Sequence, residues 1–401
     1  MYIFIGGMFP QKYYSQIVAN SKGSVQNAAN VLQWALINGL KKCNQYVKIL
    51  SLPFVGTFYK SYKSLMINRR AFSYDGYDEN IVLGFNTLPL LGLFSRYMSL
   101  KRELNRIANK KDVLIVYSIH TPFLLSAVNL KKKIKDLHIC LIVPDLPQYM
   151  SESQNFLYRL CKKIDSVIIR KALCYVDSFV LLSDYMATSL NVDNRPWIRI
   201  EGVYLPSNYI PKMEKENSFV FAYTGTLDYR YGIMDLINSF MMIREKNIYL
   251  WICGRGDAEA KVKYYAEKDY RIKYFGQLIH EKTLELQYRA TVLVNPRTTK
   301  GEYTKYSFPS KTIEYMASGT PCIMYELPTL PEEYKEYLFL VEDRENGLVE
   351  CMKRVMSLSK KELSAKGERA KNFLANNKTP YHQAKLIIQM INQCDSVRYK
   401  N

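Results

Sequence analysis

The 401-residue sequence predicts an α/β fold of two Rossmann-like domains, each a parallel sheet flanked by helices. Three observations carry this expectation. Short runs rich in β-branched and aromatic residues alternate with amphipathic stretches of helical length along the chain. The length exceeds what one hydrophobic core usually holds. The rhythm breaks once, at the polar, proline-bearing segment GVYLPSNYIPKMEKEN over 202–217, which reads as a linker.

In the first half, strands are expected at 2–5, 47–50, 81–83, 113–117, 138–143, 178–182 and 198–200, with helices at 24–38, 94–108 and 152–174. The second half repeats the pattern, with strands at 219–223, 248–253, 272–275, 292–295 and 322–325 and helices at 232–242, 258–267, 281–289 and 310–318. Helices at 345–356, 360–374 and 381–394 finish the chain. The domains then span 1–205 and 206–380, and the helix over 381–401 packs back on the first.

The composition, 48% hydrophobic and 23% charged, is that of a soluble globular protein. No apolar run reaches the length of a membrane span. The opening MYIFIGGMFP lacks a basic leader and reads as a first strand and glycine turn. The eight cysteines are scattered without a CxxC pair, and the four histidines show no metal-ligand spacing, which predicts a cytoplasmic protein that needs no metal. Net charge is +19, and residues 1–210 hold 26 basic against 13 acidic side chains. Such a field favours an anionic partner: nucleic acid, an anionic membrane face or a phosphorylated substrate.

Three strand-to-helix turns of the second half carry chemistry. In FAYTGTLDYRYGI, Gly225 and Thr226 follow a strand, Arg230 adds charge, and a helix follows with free amides that suit a phosphate. LWICGRGD puts Gly254 after the next strand, where Asp257 capping the following helix is the structural alternative. In LVNPRTTKGEYTKYSFPSKTIEYMASGTP a long loop with Arg297, Tyr306, Ser307 and Phe308 leads through Pro309 into a helix with Ser310 as its expected N-cap. A capping box needs an acid or amide at position 313, which is Ile313; the acid is one later, at Glu314. Glu314 shares a helix face with Ser310, close to Lys311. A cation and open amides suit a diphosphate, and the carboxylate one turn deeper suits a ribose diol. An acid placed for the helix dipole is the competing reading.

The succession of strand, long loop, FPSKTIEYMASGTP and strand resembles the retaining nucleotide-sugar glycosyltransferases of family 4, with the GT-B fold; YTGTL…YGI, CGRGD and ELPTLPEEY lie in the expected order around it. VYSIHTP and IVPDLPQYM in the first half look like the acceptor-domain loops of bacterial capsule and exopolysaccharide members. The resemblance implies two Rossmann-like domains facing each other across a cleft, a nucleotide-sugar donor on the second, and a saccharide acceptor, lipid-linked, on the first. It makes Glu314 the ribose-binding acid. Three positions depart from the pattern. The family's Glu eight residues before Glu314 is here Tyr306, and the usual Arg and Lys of the glycine loop fall at Thr226 and Tyr231. Arg230, Arg297 and Lys311 are therefore assigned to the diphosphate on charge and position.

In the first half, Gly6 and Gly7 are expected to bring backbone close to the donor or acceptor across the cleft and are counted with the donor site. On the acceptor side, His120 is expected to lie near the reacting sugar and Asp145 to orient the acceptor hydroxyl. Basic and aromatic residues mix in FVGTFYKSYKSLMINRRAF, LFSRYMSLKRELNRIANKK and FLYRLCKKIDSVIIRK, which suits an anionic membrane surface, a half-buried helix with a solvated basic face being the alternative for each. The sequence-based expectation is retaining hexosyl transfer from a UDP-linked sugar in surface polysaccharide synthesis, at the inner face of the cell membrane, with His120, Arg230 and Lys311 as catalytic groups. A nucleotide-sugar epimerase on the same fold is the enzymatic alternative. A basic nucleic-acid-binding protein is the alternative from another class, and the donor-domain motifs have no place in it.

Overall fold

Strand β1 (Tyr2–Gly6) is buried at every position, as a central strand covered on both faces must be. The computed structural model describes residues 1–23, 25–146, 156–192, 194–206 and 213–398. The chain divides into one unit of Met1–Val203 with Pro380–Asn401 and another of Tyr204–Thr379.

In the first unit β1 is followed by α1 (Gln11–Asn20), α2 (Asn27–Lys42), β2 (Val47–Ser51), β3 (Met66–Ile67), β4 (Arg70–Tyr74), β5 (Tyr77–Val82) and β6 (Phe85–Asn86). Then come α3 (Leu91–Ile107), β7 (Val113–Tyr117), α4 (Thr121–Lys133), β8 (His138–Val143), α5 (Phe156–Leu173), β9 (Ser178–Leu181), α6 (Asp184–Ser189) and β10 (Trp197–Arg199). The sheet runs β10-β9-β8-β7-β1-β2-β5-β4. The strand order reverses at β1, so the loops after β1 and β7 flank the switch point where such sheets bind ligands.

The expectation of parallel sheets needs a correction at this edge. β4 pairs antiparallel with β5, and β3 with β6. The cause is the Asp75-Gly76 turn, with φ of 54° and 77°, which closes a two-residue hairpin that no parallel connection could make. Helix α1 also forms where a loop was expected. The start of the expected helix at 152–155, like 147–150 and 207–212 of the quoted loop and linker, lies outside the described residues.

The second unit comprises β11 (Phe219–Thr224), α7 (Ile233–Met241), β12 (Ile248–Cys253), α8 (Glu259–Lys268), β13 (Ile272–Tyr274), α9 (His280–Arg289) and β14 (Val292–Asn295). It continues with α10 (Ser310–Ala317), β15 (Cys322–Tyr325), α11 (Glu332–Lys335), β16 (Phe339–Val341), α12 (Gly347–Met356) and α13 (Lys360–Asn377). Its sheet is parallel throughout, in the order β13-β12-β11-β14-β15-β16. The order reverses between β11 and β14, so the loops after these two strands form this unit's switch point. Phe221, Ile252, Leu293 and Ile323 fill the core with no exposed surface. Truncating one such side chain to alanine costs about 2–5 kcal/mol.

The last helix, α14 (Pro380–Arg398), belongs to the first unit. Ala384, Ile387 and Ile391 bury against Leu36 and Leu40 of α2. Gly39 permits that approach, since a Cβ there would meet the Pro380 carbonyl oxygen at 2.0 Å. Among the described residues no helix is long and apolar enough to cross a membrane.

Candidate functional site

Close backbone contacts lock together the loops at the carboxyl ends of β11, β12 and β14. Gly254 has φ of 143°, and a Cβ there would come within 1.8 Å of the Gly225 carbonyl oxygen. Gly232, at φ 76°, faces the Pro296 carbonyl oxygen, 2.1 Å from where its Cβ would be. The Gly225 amide donates to the Cys253 carbonyl at 2.9 Å, and the Leu227 amide to the Arg255 carbonyl at 2.8 Å. These glycines act first on one another: the backbone approach they allow is between loops, and it builds a stiff floor at the switch point. Asp257 does not cap α8, whose N-cap is Ala258; its Oδ1 accepts from the Tyr229 amide at 3.3 Å and fastens the same loops.

Helix α10 starts beside this floor. Its N-cap is Pro309, and no side chain caps it. The expectation that Ser310 is the cap is corrected: Ser310 is the first helical residue and is exposed. Proline has no side-chain acceptor to offer, so amides of the first turn stay open to a ligand. Lys311 Nζ donates to Glu314 Oε1 at 2.8 Å and Oε2 at 2.9 Å. Gln287 of α9 is fully buried and donates from Nε2 to Glu314 Oε1 at 2.5 Å and to Thr224 Oγ1 at 2.8 Å. Tyr315, also fully buried, accepts from the Thr224 amide at 2.8 Å. Glu314 is thus oriented from α9 and β11, which a carboxylate serving only the helix dipole does not require.

Arg297 is a buried cation with unused donors. It is 6% exposed, and its Nε and Nη2 have no hydrogen-bond partner. Nη1 makes one long contact, 3.4 Å, to Ser307 Oγ. The guanidinium lies 4.9 Å from the Tyr303 ring and 5.6 Å from that of Tyr231. Burial pushes its pKa down. A buried guanidinium with unused donors is costly until an anion arrives.

Arg230 is differently placed. Its side chain is 71% exposed and gripped by Asp228, with Nε to Oδ1 at 3.0 Å and Nη2 to Oδ2 at 2.5 Å. The hydrogen bond to Asp228 raises its pKa. Thr226 is exposed, and its carbonyl accepts from the Tyr223 hydroxyl at 2.6 Å. Tyr306 is half-buried at the end of the 3-10 turn over Glu302–Lys305. Phe308 is buried, its ring 5.7 Å from that of Tyr334, which fixes the chain before Pro309.

In the first unit, the Gly6–Gly7 turn is held internally. The Gly7 amide donates to Gln33 Oε1 at 2.8 Å, and a Cβ on Gly7 would strike the Phe54 ring at 2.3 Å. The close approach expected of these glycines is therefore to α2 and Phe54. His120 is the N-cap residue of α4, and its ring lies 4.4 Å from Phe123 and 5.8 Å from Phe54. Burial, with Arg96 adding to it, lowers its pKa to about 3, so the ring is neutral at physiological pH. Its Nδ1 has no partner; neither have the Tyr117 hydroxyl and Arg96 Nε. The Tyr117 phenol is pushed up by burial first and by the Asp145 charge second; Asp145 itself is exposed on the turn after β8. Three unpaired buried polar atoms thus gather near Phe54 at the first unit's switch point.

Sequence reasoning missed Gln287, Asp228 and Arg96. Asp228 stands two residues from Arg230, a spacing that could have pointed to the pair. Gln287 and Arg96 meet their partners only through the fold. Among the described residues no group of three His, Cys, Asp or Glu side chains gathers that could hold a metal.

Residues 218–357 match the family model for glycosyl transferases group 1. No curated protein matches the chain at a significant level. Among solved structures, the chain is similar to sucrose-phosphate synthase from Thermosynechococcus elongatus, with 15% identity and a TM-score of 0.65 over 99% of this chain and 100% of that one. It is similar to the lipopolysaccharide outer core galactosyltransferase WaaB, with 16% identity and a TM-score of 0.60 over 99% of this chain and 100% of that one. It is also similar to Anabaena Alr3699/HepE in complex with UDP, with 10% identity and a TM-score of 0.62 over 98% and 99%. At such identities the likeness is one of fold.

Proposed function

With a glycosyl transferases group 1 domain over residues 218–357 in a chain of GT-B fold, we propose that this protein transfers a hexosyl group, with retention, from a UDP-linked sugar to a hydroxyl of a lipid-linked saccharide in surface polysaccharide synthesis. The observation that carries this reading is Arg297, a buried guanidinium with unsatisfied Nε and Nη2 beside the uncapped start of α10.

A nucleoside diphosphate supplies what these groups lack. Arg297 pairs with the diphosphate, the α10 amides donate to its oxygens, and Lys311 swings from Glu314 to add charge. Glu314, still held by Gln287, then accepts from the ribose hydroxyls. As the bond from the anomeric carbon to the β-phosphate oxygen breaks, negative charge grows on the leaving diphosphate, where these cations and amides stabilise it. The acceptor oxygen bonds to the anomeric carbon on the same face, and its proton passes to the departing phosphate oxygen. No side chain need act as base, and charge is met without a metal. Tyr306 faces the role that a carboxylate has in the family and makes the hexose contact a phenolic one. The acceptor belongs to the first unit, at the loops bearing His120 and Asp145. Neutral His120 can exchange one hydrogen bond there but carries no proton to donate as a cation.

Peripheral membrane attachment belongs to the same reading. α3 exposes Leu91, Leu93 and Phe94 ahead of Lys101 and Arg102, and α5 exposes Ile164 and Val167 among Lys163, Arg170 and Lys171. Sedimentation with phosphatidylglycerol vesicles tests it: protein left in the supernatant at low salt removes the membrane from the proposal.

The function itself is tested by a thermal-shift screen against UDP-, GDP-, ADP- and CMP-sugars, followed by incubation with the stabilising donor alone. A UDP-sugar should raise Tm and survive unconverted until an acceptor is added. Conversion of the donor to its epimer without acceptor favours an epimerase, and no shift with any nucleotide sugar sinks the donor-site reading.

A further inference from the structure

A cavity of about 100 Å³ opens on the first unit between α1 and the chain running from β2 to β5. It lies at the carboxyl end of the sheet. Pro53 and Val82, which line it, follow β2 and end β5. Pro53 sits between two rungs that tie this chain to the first switch-point turn: Leu52 N to Gly6 O at 2.8 Å, and Phe54 N to Gly7 O at 3.0 Å. The cavity therefore abuts the loop after β1 without using His120 or Asp145.

Its lining has a definite chemistry. Tyr13, Gln16 and Asn20 stand at i, i+3 and i+7 of α1, on one face. Tyr62, Asn68 and Arg70 come from the β2-to-β4 connection and the start of β4. Arg70 donates from Nη1 to Gln16 Oε1 at 2.7 Å, and its guanidinium lies 5.2 Å from the centre of the Tyr13 ring. It makes no ion pair among the described residues, and no Asp or Glu lines the cavity. Tyr13 is itself fixed, its hydroxyl donating to the Ala71 carbonyl at 3.0 Å. A preset guanidinium without a carboxylate partner, two tyrosine rings and three side-chain amides match a ligand that is rich in hydroxyls and bears one anionic group.

We propose that this cavity binds an anionic sugar unit of the acceptor, with Arg70 holding its carboxylate or phosphate and Gln16, Asn20 and Asn68 its hydroxyls. The proposal rests on the acceptor role given to the first unit. It restricts the acceptors to saccharides carrying a uronate or a phosphate.

The test is ligand-observed NMR on the full chain with methyl β-D-glucuronide, glucose 6-phosphate and methyl β-D-glucoside as separate probes. At least one charged probe should bind more tightly than the glucoside, and its binding should weaken about tenfold or more in Arg70→Gln, the loss expected for one charged hydrogen bond. Which charged probe binds tells a uronate from a phosphosugar. Asn68→Ala, at an exposed position, should weaken the same probe less. Circular dichroism melting shows that each variant is folded. Failure of both charged probes overturns the proposal, and so does equal binding to the wild type and Arg70→Gln. Because UDP is absent, a failed donor site leaves this result standing, and the two readings fail separately.

Discussion

Helices α10 and α13 both have a serine at their start and an acid in the following turn, yet they begin in different ways. In α13, Ser359 is the N-cap: its Oγ accepts from the Glu362 amide at 3.2 Å, and Glu362 Oε2 accepts from the Ser359 amide at 2.8 Å. The capping box closes the helix end on itself. In α10 the serine is one place late, Pro309 occupies the cap, and the acid stands two places late, bound to Lys311 and Gln287. One helix start is finished and the other is open, and the open one adjoins a buried arginine without an anion. Local stability has been forgone where a ligand is to supply the missing partners.

The contrast can be broken by substitution. The largest effect is expected from Arg297→Met, which removes the buried charge while keeping bulk. Transfer activity should fall about 10²–10³-fold, while the ligand-free Tm stays level or rises because an unpaired buried charge is gone. Unchanged kcat/KM for the donor would leave α10 as an ordinary helix. Glu314→Gln should cost about 10–100-fold in donor kcat/KM, as for a lost charged hydrogen bond. The loss should shrink for a donor lacking the ribose hydroxyls. Equal losses for both donors would place Glu314 elsewhere in the reaction.

Smaller effects separate the two helices by stability. Ser359→Ala should cost about 1 kcal/mol, lowering Tm by about 2–4 °C with activity intact. Ser310→Ala should leave Tm unmoved, since nothing is capped there. A Tm loss in Ser310→Ala equal to that in Ser359→Ala would erase the distinction. A separate, pH-dependent effect concerns His120. Its folded pKa of about 3 lies below the ordinary 6.5, so the unfolded chain binds the proton more readily between those values. Stability is therefore full above about pH 6.5 and declines as pH falls toward 3. His120→Gln should flatten that decline in Tm between pH 6.5 and pH 4, and an identical pH profile would mean that the ring is solvated.

Much of the fold was legible because parallel strands covered on both faces are nearly continuous apolar runs. VLIVY, HICLIV and IYLWIC cannot be mistaken for surface. The edge hairpin was missed although Asp75-Gly76 is a turn signal, because β4 exposes Ala71 and Ser73 and carries little apolar pattern. Glu314 could be singled out because its spacing from Ser310 fails the capping rule. The roles of Arg230 and Arg297 could not be separated by sequence. Both are arginines in loops after strands, and only the fold gives Arg230 to Asp228 and buries Arg297 without a partner. Gln287 gave no signal, since its bonds to Thr224 and Glu314 span 63 and 27 residues.

The central claim is that the open start of α10 and the unpaired Arg297 await a diphosphate. Calorimetric titration of UDP and of uridine into the wild type and Arg297→Met tests it most directly. UDP should bind the wild type and lose about 10–100-fold in affinity in the variant, while uridine binds both proteins weakly and alike. Equal UDP affinity for the two proteins, with the variant folded, would contradict it.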